Sequence, residues 1–149
     1  MSLALEVARQ DQGEVPVGAV VVYQDQLLAQ AGNQREQSHD PTAHAEVLAL
    51  RKAAQQLGRW NLSDCTIYVT LEPCPMCMGA ILSARIPRLV YGCHNLKLGA
   101  AGSILGLHDF PGLSLRCRVD HGVLQDECAR LMESFFQKRR NSGEVAEPG

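Results

Sequence analysis

Two short segments carry the side chains from which chemistry can be built: His44-Ala45-Glu46 and Pro73-Cys74-Pro75-Met76-Cys77. Cysteines three apart on one helix face can both reach a single ion, and a helix amino terminus favours the thiolate form that binds metal. His44 offers a third donor from a neighbouring helix start. Three protein ligands leave one corner of a tetrahedral zinc open to water, which is the catalytic arrangement rather than the closed structural one. Two thiolates cancel the charge of the dication, so its water needs help to ionise. Glu46, two residues beyond His44, is placed to take that proton. Each part alone has a plainer reading: a redox pair, a histidine bonded to backbone, a surface carboxylate. A zinc-stabilised binding domain without turnover would need a fourth protein ligand, and no second histidine or cysteine falls near either segment.

These segments need elements to hold them. Residues 3–10 read as a helix. Residues 17–23 form an almost unbroken β-branched run, and residues 27–31 follow after a polar Gln24-Asp25-Gln26 turn, a hairpin signal. Residues 33–40 read as a polar loop. In residues 42–57, Val47, Leu48, Leu50, Ala54 and Leu57 recur at helical spacing until Gly58 stops the helix. Residues 66–71 form a short strand. A helix over 76–85 has Pro73 and Pro75 at its start, where a missing N–H costs little. Residues 88–92 are a strand, 99–106 a glycine-rich loop, 115–119 a weaker strand and 125–140 a closing helix. Strands alternating with helices predict a three-layer α/β/α domain around a central mixed sheet of about five strands. The expected organisation is one domain over residues 1–140 and a flexible tail over 141–149.

Of the 149 residues, 46% are apolar and 20% charged, an ordinary soluble balance. No apolar run approaches the roughly 20 residues that span a bilayer, and the first ten residues lack the pattern of a signal peptide. The expected address is the cytoplasm, where six cysteines do not read as three disulfides. Cys65 and Cys93 fall at strand edges, Cys117 in a strand and Cys128 in a helix, all read as small core residues. His39, His94, His108 and His121 have no metal partner by spacing. The formal net charge of −2 does not announce a phosphate-gripping surface. Lys138, Arg139 and Arg140 form a short basic run that suits a helix end.

H-x-E followed by P-C-x-x-C, each at a helix start, matches the signature of zinc deaminases, in which activated water attacks an amino-bearing ring carbon. With these residues in view, the chain closely resembles the bacterial tRNA-specific adenosine deaminases of the cytidine/deoxycytidylate deaminase superfamily. These convert adenosine at the anticodon wobble position to inosine. The resemblance runs through residues 14–19, 40–46, 68–74, 99–103, Phe135-Phe136 and Arg139-Arg140, most of the chain. It implies a cytidine-deaminase-like fold, one Zn2+ per chain on His44, Cys74 and Cys77, and Glu46 as proton shuttle. It also implies substrate contacts at Asn33, Ala45, Asn95, Lys97, Phe135 and Arg139. The partners it implies are a tRNA anticodon stem-loop and a second copy in a homodimer, with no membrane.

Read from position alone, Asn33 ends the second strand, where its amide could bind a base or cap the turn. Phe135 and Phe136 could stack on unpaired bases or pack the last helix on the sheet. Two departures stand out. The chain begins inside what looks like the family's first helix, and Asn95 stands where many relatives carry an aspartate facing the nucleic-acid backbone. An amide donates as well as accepts and lacks a carboxylate's repulsion for phosphate, so altered ribose or phosphate contacts are expected there. Leu98 lies in the same loop. Guanine deaminase is the nearest rival and shares the run from Asp40 to Glu46, and cytidine deaminase is a further one. The zinc motif separates none of these. Lys97, the 99–103 loop and the long last helix resemble the tRNA branch.

Overall fold

The computed structural model describes residues 1–10 and 13–144. The β-branched run forms β1 (Gly18–Tyr23), which turns back through Gln24 and Asp25 into β2 (Gln26–Gly32). Both turn residues have positive φ, 51° and 60°. That two-residue geometry matches the twist of a hairpin, so Gln26 pairs with Tyr23 and opens the second strand. On its other side β1 pairs antiparallel with β3 (Cys65–Leu71). β3 runs parallel to β4 (Arg88–Cys93), and β4 parallel to β5 (Arg118–His121). The five-stranded sheet has the order β2-β1-β3-β4-β5, the mixed sheet that the alternation of elements predicted.

The helices are α1 (Ser2–Gln10), a single turn α2 (Arg35–Ser38), α3 (Ala45–Leu57), α4 (Pro75–Ser83) and α5 (Gln125–Asn141). Strand alternation decides which residues meet them. Ala19, Val21, Ile67, Val69, Leu89 and Tyr91 share one core with Ala45, Ala49 and Ala53 of α3 and with Met78 and Ile81 of α4. The alanines recur every four residues, a narrow stripe that lets α3 lie close on β1 and β2. A smaller cluster joins Leu5 of α1 to Cys128 of α5 and Cys93, and completes the third layer. No helix of the described residues is long and apolar enough to cross a membrane.

Several boundaries differ from the sequence reading. The polar loop 33–40 contains α2, which His39 ends in the left-handed region. α3 begins at Ala45, not residue 42, because Asp40 Oδ1 accepts hydrogen bonds from Thr42 N at 2.8 Å and Thr42 Oγ1 at 2.7 Å and holds that stretch in a turn. α4 stops at Ser83, and Arg85 follows at a φ of 65°. The last strand lies further on than residues 115–119. Cys117 N donates to His108 O at 2.9 Å, so Cys117 precedes the ladder instead of lying in it. It is buried all the same. α5 continues to Asn141, and Arg139 Nε then lies 3.7 Å from Glu144 in the turn that follows. The tail expected to be flexible lies, over residues 145–149, outside the described residues.

Gly18 is required where α1 crosses β1: a Cβ there would stand 1.9 Å from the Ala4 carbonyl oxygen. We expect Gly18→Ala to push the helix off the sheet at a cost of roughly 1–3 kcal/mol. Urea denaturation reads this as a lowered midpoint, and a midpoint equal to that of the wild type would contradict it.

Candidate active site

Two helix starts build the site, one following the α2 turn and one following β3. His44 is the N-cap of α3, with φ −75° and ψ 151°, and Cys74 is the N-cap of α4, with φ −73° and ψ 173°. Pro75 occupies the first helical position, where its absent N–H breaks no helix bond. Cys77 follows one turn later and is fully buried. His44 Nδ1 lies 3.7 Å from Cys74 Sγ and 3.5 Å from Cys77 Sγ. The three donor atoms all fall within 4.8 Å of one another. Bonds of about 2.3 Å to sulfur and about 2.1 Å to nitrogen, opened at the tetrahedral angle, separate the two atoms by about 3.6 Å. The donor set therefore fits one tetrahedral ion, and no other such group of three occurs among the described residues.

Glu46 sits in the first turn of α3 and is 4% exposed. Its Oε2 lies 3.5 Å from Cys77 Sγ. Burial pushes this carboxyl up to about 7, with the negative Cys74 sulfur acting in the same direction. Cys74 is drawn down to about 4, mainly by the hydrogen bond that the Cys77 thiol donates to it, with His44 adding to the effect. Cys77 is raised by that same bond and by its burial. The Cys74 sulfur raises His44 in turn. Two sulfurs, one histidine ring and a carboxyl pushed up by its burial thus meet at one point.

Asn33 and Ala45 are brought together beside this group. Asn33 Oδ1 accepts from Ala45 N at 2.8 Å, and Nδ2 donates to Val15 O at 3.0 Å. The amide caps α3 and ties it to the chain before β1, leaving one Nδ2 hydrogen beyond those two bonds. Asn95 Oδ1 accepts from Lys97 N at 3.2 Å and Leu98 N at 3.0 Å, closing a local turn that leaves Lys97 exposed. Phe135 packs partly buried against the main core beside Phe136, their rings 5.3 Å apart at 77°. The Arg139 guanidinium lies over the Phe135 ring at 4.7 Å. Both phenylalanines therefore pack, and one face of Phe135 is already covered by Arg139.

Two buried acids were not singled out from the sequence. Glu14, 3% exposed, accepts from Gln37 N at 2.9 Å and so holds α2. Glu72, 1% exposed, accepts from backbone of the glycine-rich loop. Burial alone would raise the Glu72 carboxyl, but the bonds from Ser103, Ala101 and Asn95 outweigh it and hold it below the ordinary range. The available signal was the position of Glu72 between a buried strand and a proline, opposite a glycine-rich loop. The four cysteines outside the site are free and buried, as expected. His94 and His121 lie in a shallow cavity of about 560 Å³ that Tyr91, Ser103 and His108 also line.

The family model for MafB19-like deaminases matches residues 1–140. A tRNA-specific adenosine deaminase of Haemophilus influenzae is 43% identical over 97% of this chain and 86% of its own length. A solved structure from work on A-to-I editing by tRNA:A34 deaminases superposes with a TM-score of 0.85 at 41% identity, over 88% of this chain and 96% of the other. Guanine deaminase from Bacillus subtilis superposes less well, with a TM-score of 0.62 at 32% identity over 99% and 96% of the two chains. This chain belongs to the MafB19-like deaminases and to the tRNA-specific adenosine deaminases.

Proposed function

We propose that the protein deaminates adenosine at the wobble position of a tRNA anticodon, giving inosine and ammonia, and that residues 1–140 form its catalytic domain. The observation that carries this reading is the convergence of His44, Cys74 and Cys77 with buried Glu46. His44, Cys74 and Cys77 would hold one Zn2+ per chain, and with three protein donors one tetrahedral position stays free for a reactant. Zinc bound there would supply the Lewis acidity that turns water into a nucleophile at neutral pH.

The chain's own residues do the rest. Glu46, whose burial brings its proton affinity close to neutrality, takes a proton from water and delivers one to the purine ring nitrogen. Once the water oxygen is bonded to the ring carbon, the same carboxylate takes its second proton and passes it to the amine as the C–N bond breaks, so water and adenosine become inosine and ammonia. Asn33 holds the first turn of α3 through Ala45 and so sets where Glu46 points; its second Nδ2 hydrogen is offered to the nucleoside. Asn95 and Lys97 meet the RNA from the 95–103 loop, and Arg139, stacked on Phe135, meets it from the end of α5. The likeness to the family supports a homodimer acting in the cytoplasm.

The favoured reading and its rival part on substrate. Inosine should form in an anticodon stem-loop, should cease on chelation and should return with zinc. Ammonia from free guanine, with the RNA left unchanged, would give the activity to guanine deamination. Glu46→Ala should retain one zinc per chain while losing about 10²–10⁴-fold in rate, because one group serves both proton transfers. Near wild-type turnover would show another base at work. Cys77→Ser should lower zinc content and melting temperature together, since both helix starts lose their tie. Full zinc occupancy in that variant, by metal analysis, would contradict the ligand assignment.

A further inference from the structure

Glu72 lies two residues before Cys74, yet its carboxylate faces away from the chemistry just described. Apart from the Tyr91 hydroxyl on β4, the polar contacts of its side chain go to the segment 94–103. Oε1 accepts from Asn95 N at 3.3 Å and from Ser103 Oγ at 2.5 Å, and lies 3.5 Å from His94 Nδ1. Oε2 accepts from Ala101 N and Ser103 N, both at 3.1 Å. The side chain is wholly buried. Two backbone bonds flank it: Glu72 N donates to Cys93 O at 2.9 Å, and Ala100 N donates to Pro73 O at 2.9 Å.

The loop is shaped to this carboxylate. A Cβ on Gly99 would stand 2.4 Å from Glu72 Oε2 and 2.5 Å from Asn95 O, so only glycine lets the loop close over the acid. Converging backbone N–H groups make a concavity for an anion, here filled by a side chain of the protein itself. What the arrangement presents outward is the turn from Asn95 to Leu98, with Lys97 exposed at its crest. A buried charge is a costly way to fill space, since an apolar residue packs there without desolvation. Its specific return is a loop fixed in orientation relative to the Cys74 helix start.

We propose that Glu72 is a positioning residue for RNA: its carboxylate fixes the 95–103 loop so that Asn95 and Lys97 meet the substrate at a set distance from the metal-bearing helix. This rests on the tRNA reading given above. Glu72 itself touches neither substrate nor reacting atoms. Its loss should weaken engagement of the RNA more than it slows the chemistry.

The test compares wild type, Glu72→Gln and Ser103→Ala, all loaded with zinc, on an anticodon stem-loop. Gln keeps the shape but turns an acceptor into a donor against the loop N–H groups. We expect its KM to rise about tenfold, the scale of losing bonds to a charged acceptor, with kcat within about threefold and one zinc per chain retained. Amide hydrogen exchange over 95–103 should quicken while the sheet stays protected. Ser103→Ala, which removes one hydroxyl, should raise KM in the same direction by a smaller factor, and it decides the matter alone if Glu72→Gln does not fold. An unchanged KM overturns the proposal whatever the exchange shows, as does a fall in kcat or zinc content at constant KM. Wild type that forms no inosine in the RNA would instead sink the substrate reading.

Discussion

Two helix amino termini bring three metal-competent donor atoms within 4.8 Å of one another, and most of the architecture serves that meeting. His44 and Cys74 are both N-caps, so their extended backbones and the helices behind them fix where the donors point. The S···N separations of 3.5 and 3.7 Å follow from how α3 lies on the sheet and on α4. The stripe of Ala45, Ala49 and Ala53 makes that contact close, and strand alternation supplies the surface beneath it. Small errors in helix placement would separate the donors, because ligand bonds tolerate only tenths of an ångström. The chain is thus least free to vary in its packing where the chemistry is carried out.

Two buried glutamates show how surroundings assign different work to one side chain. Glu46 has few donors around it, and burial together with the Cys74 charge pushes it up to about 7. Glu72 meets three N–H and two O–H groups, and these bonds hold its carboxyl below the ordinary range despite its burial. The first can move protons; the second can hold backbone. They lie beside the two helix starts that also bear the donors. Proton traffic and loop geometry are therefore set by neighbouring parts of one framework.

A protein of net charge −2 cannot draw RNA by overall attraction. On the proposed tRNA reading recognition is local, and the candidate positive groups are held in place. Lys97 stands on a loop anchored from below, and Arg139 rests on an aromatic ring with Lys138 and Arg140 beside it. Cations fixed in position lose less freedom on binding than cations on mobile side chains. That favours fit over bulk charge as the source of selectivity.

Much of this was legible in residue order alone. The H-x-E and P-C-x-x-C segments announced their donors because local spacing at helix starts is a property of the chain itself. The β-branched run and the 3.6-residue repeats likewise reported the sheet and the long helices. The limits of α3 and β5 were not legible: Asp40 captures Thr42, and Cys117 bonds to the turn at His108, and neither competitor shows in periodicity. Nor was the role of Glu72, since its partners lie 19 to 31 residues away in the chain. Which helix starts converge, which carboxylate loses its water and which backbone groups gather round the other are decided by tertiary packing. Burial and long-range hydrogen bonding exist only once distant segments share the same space.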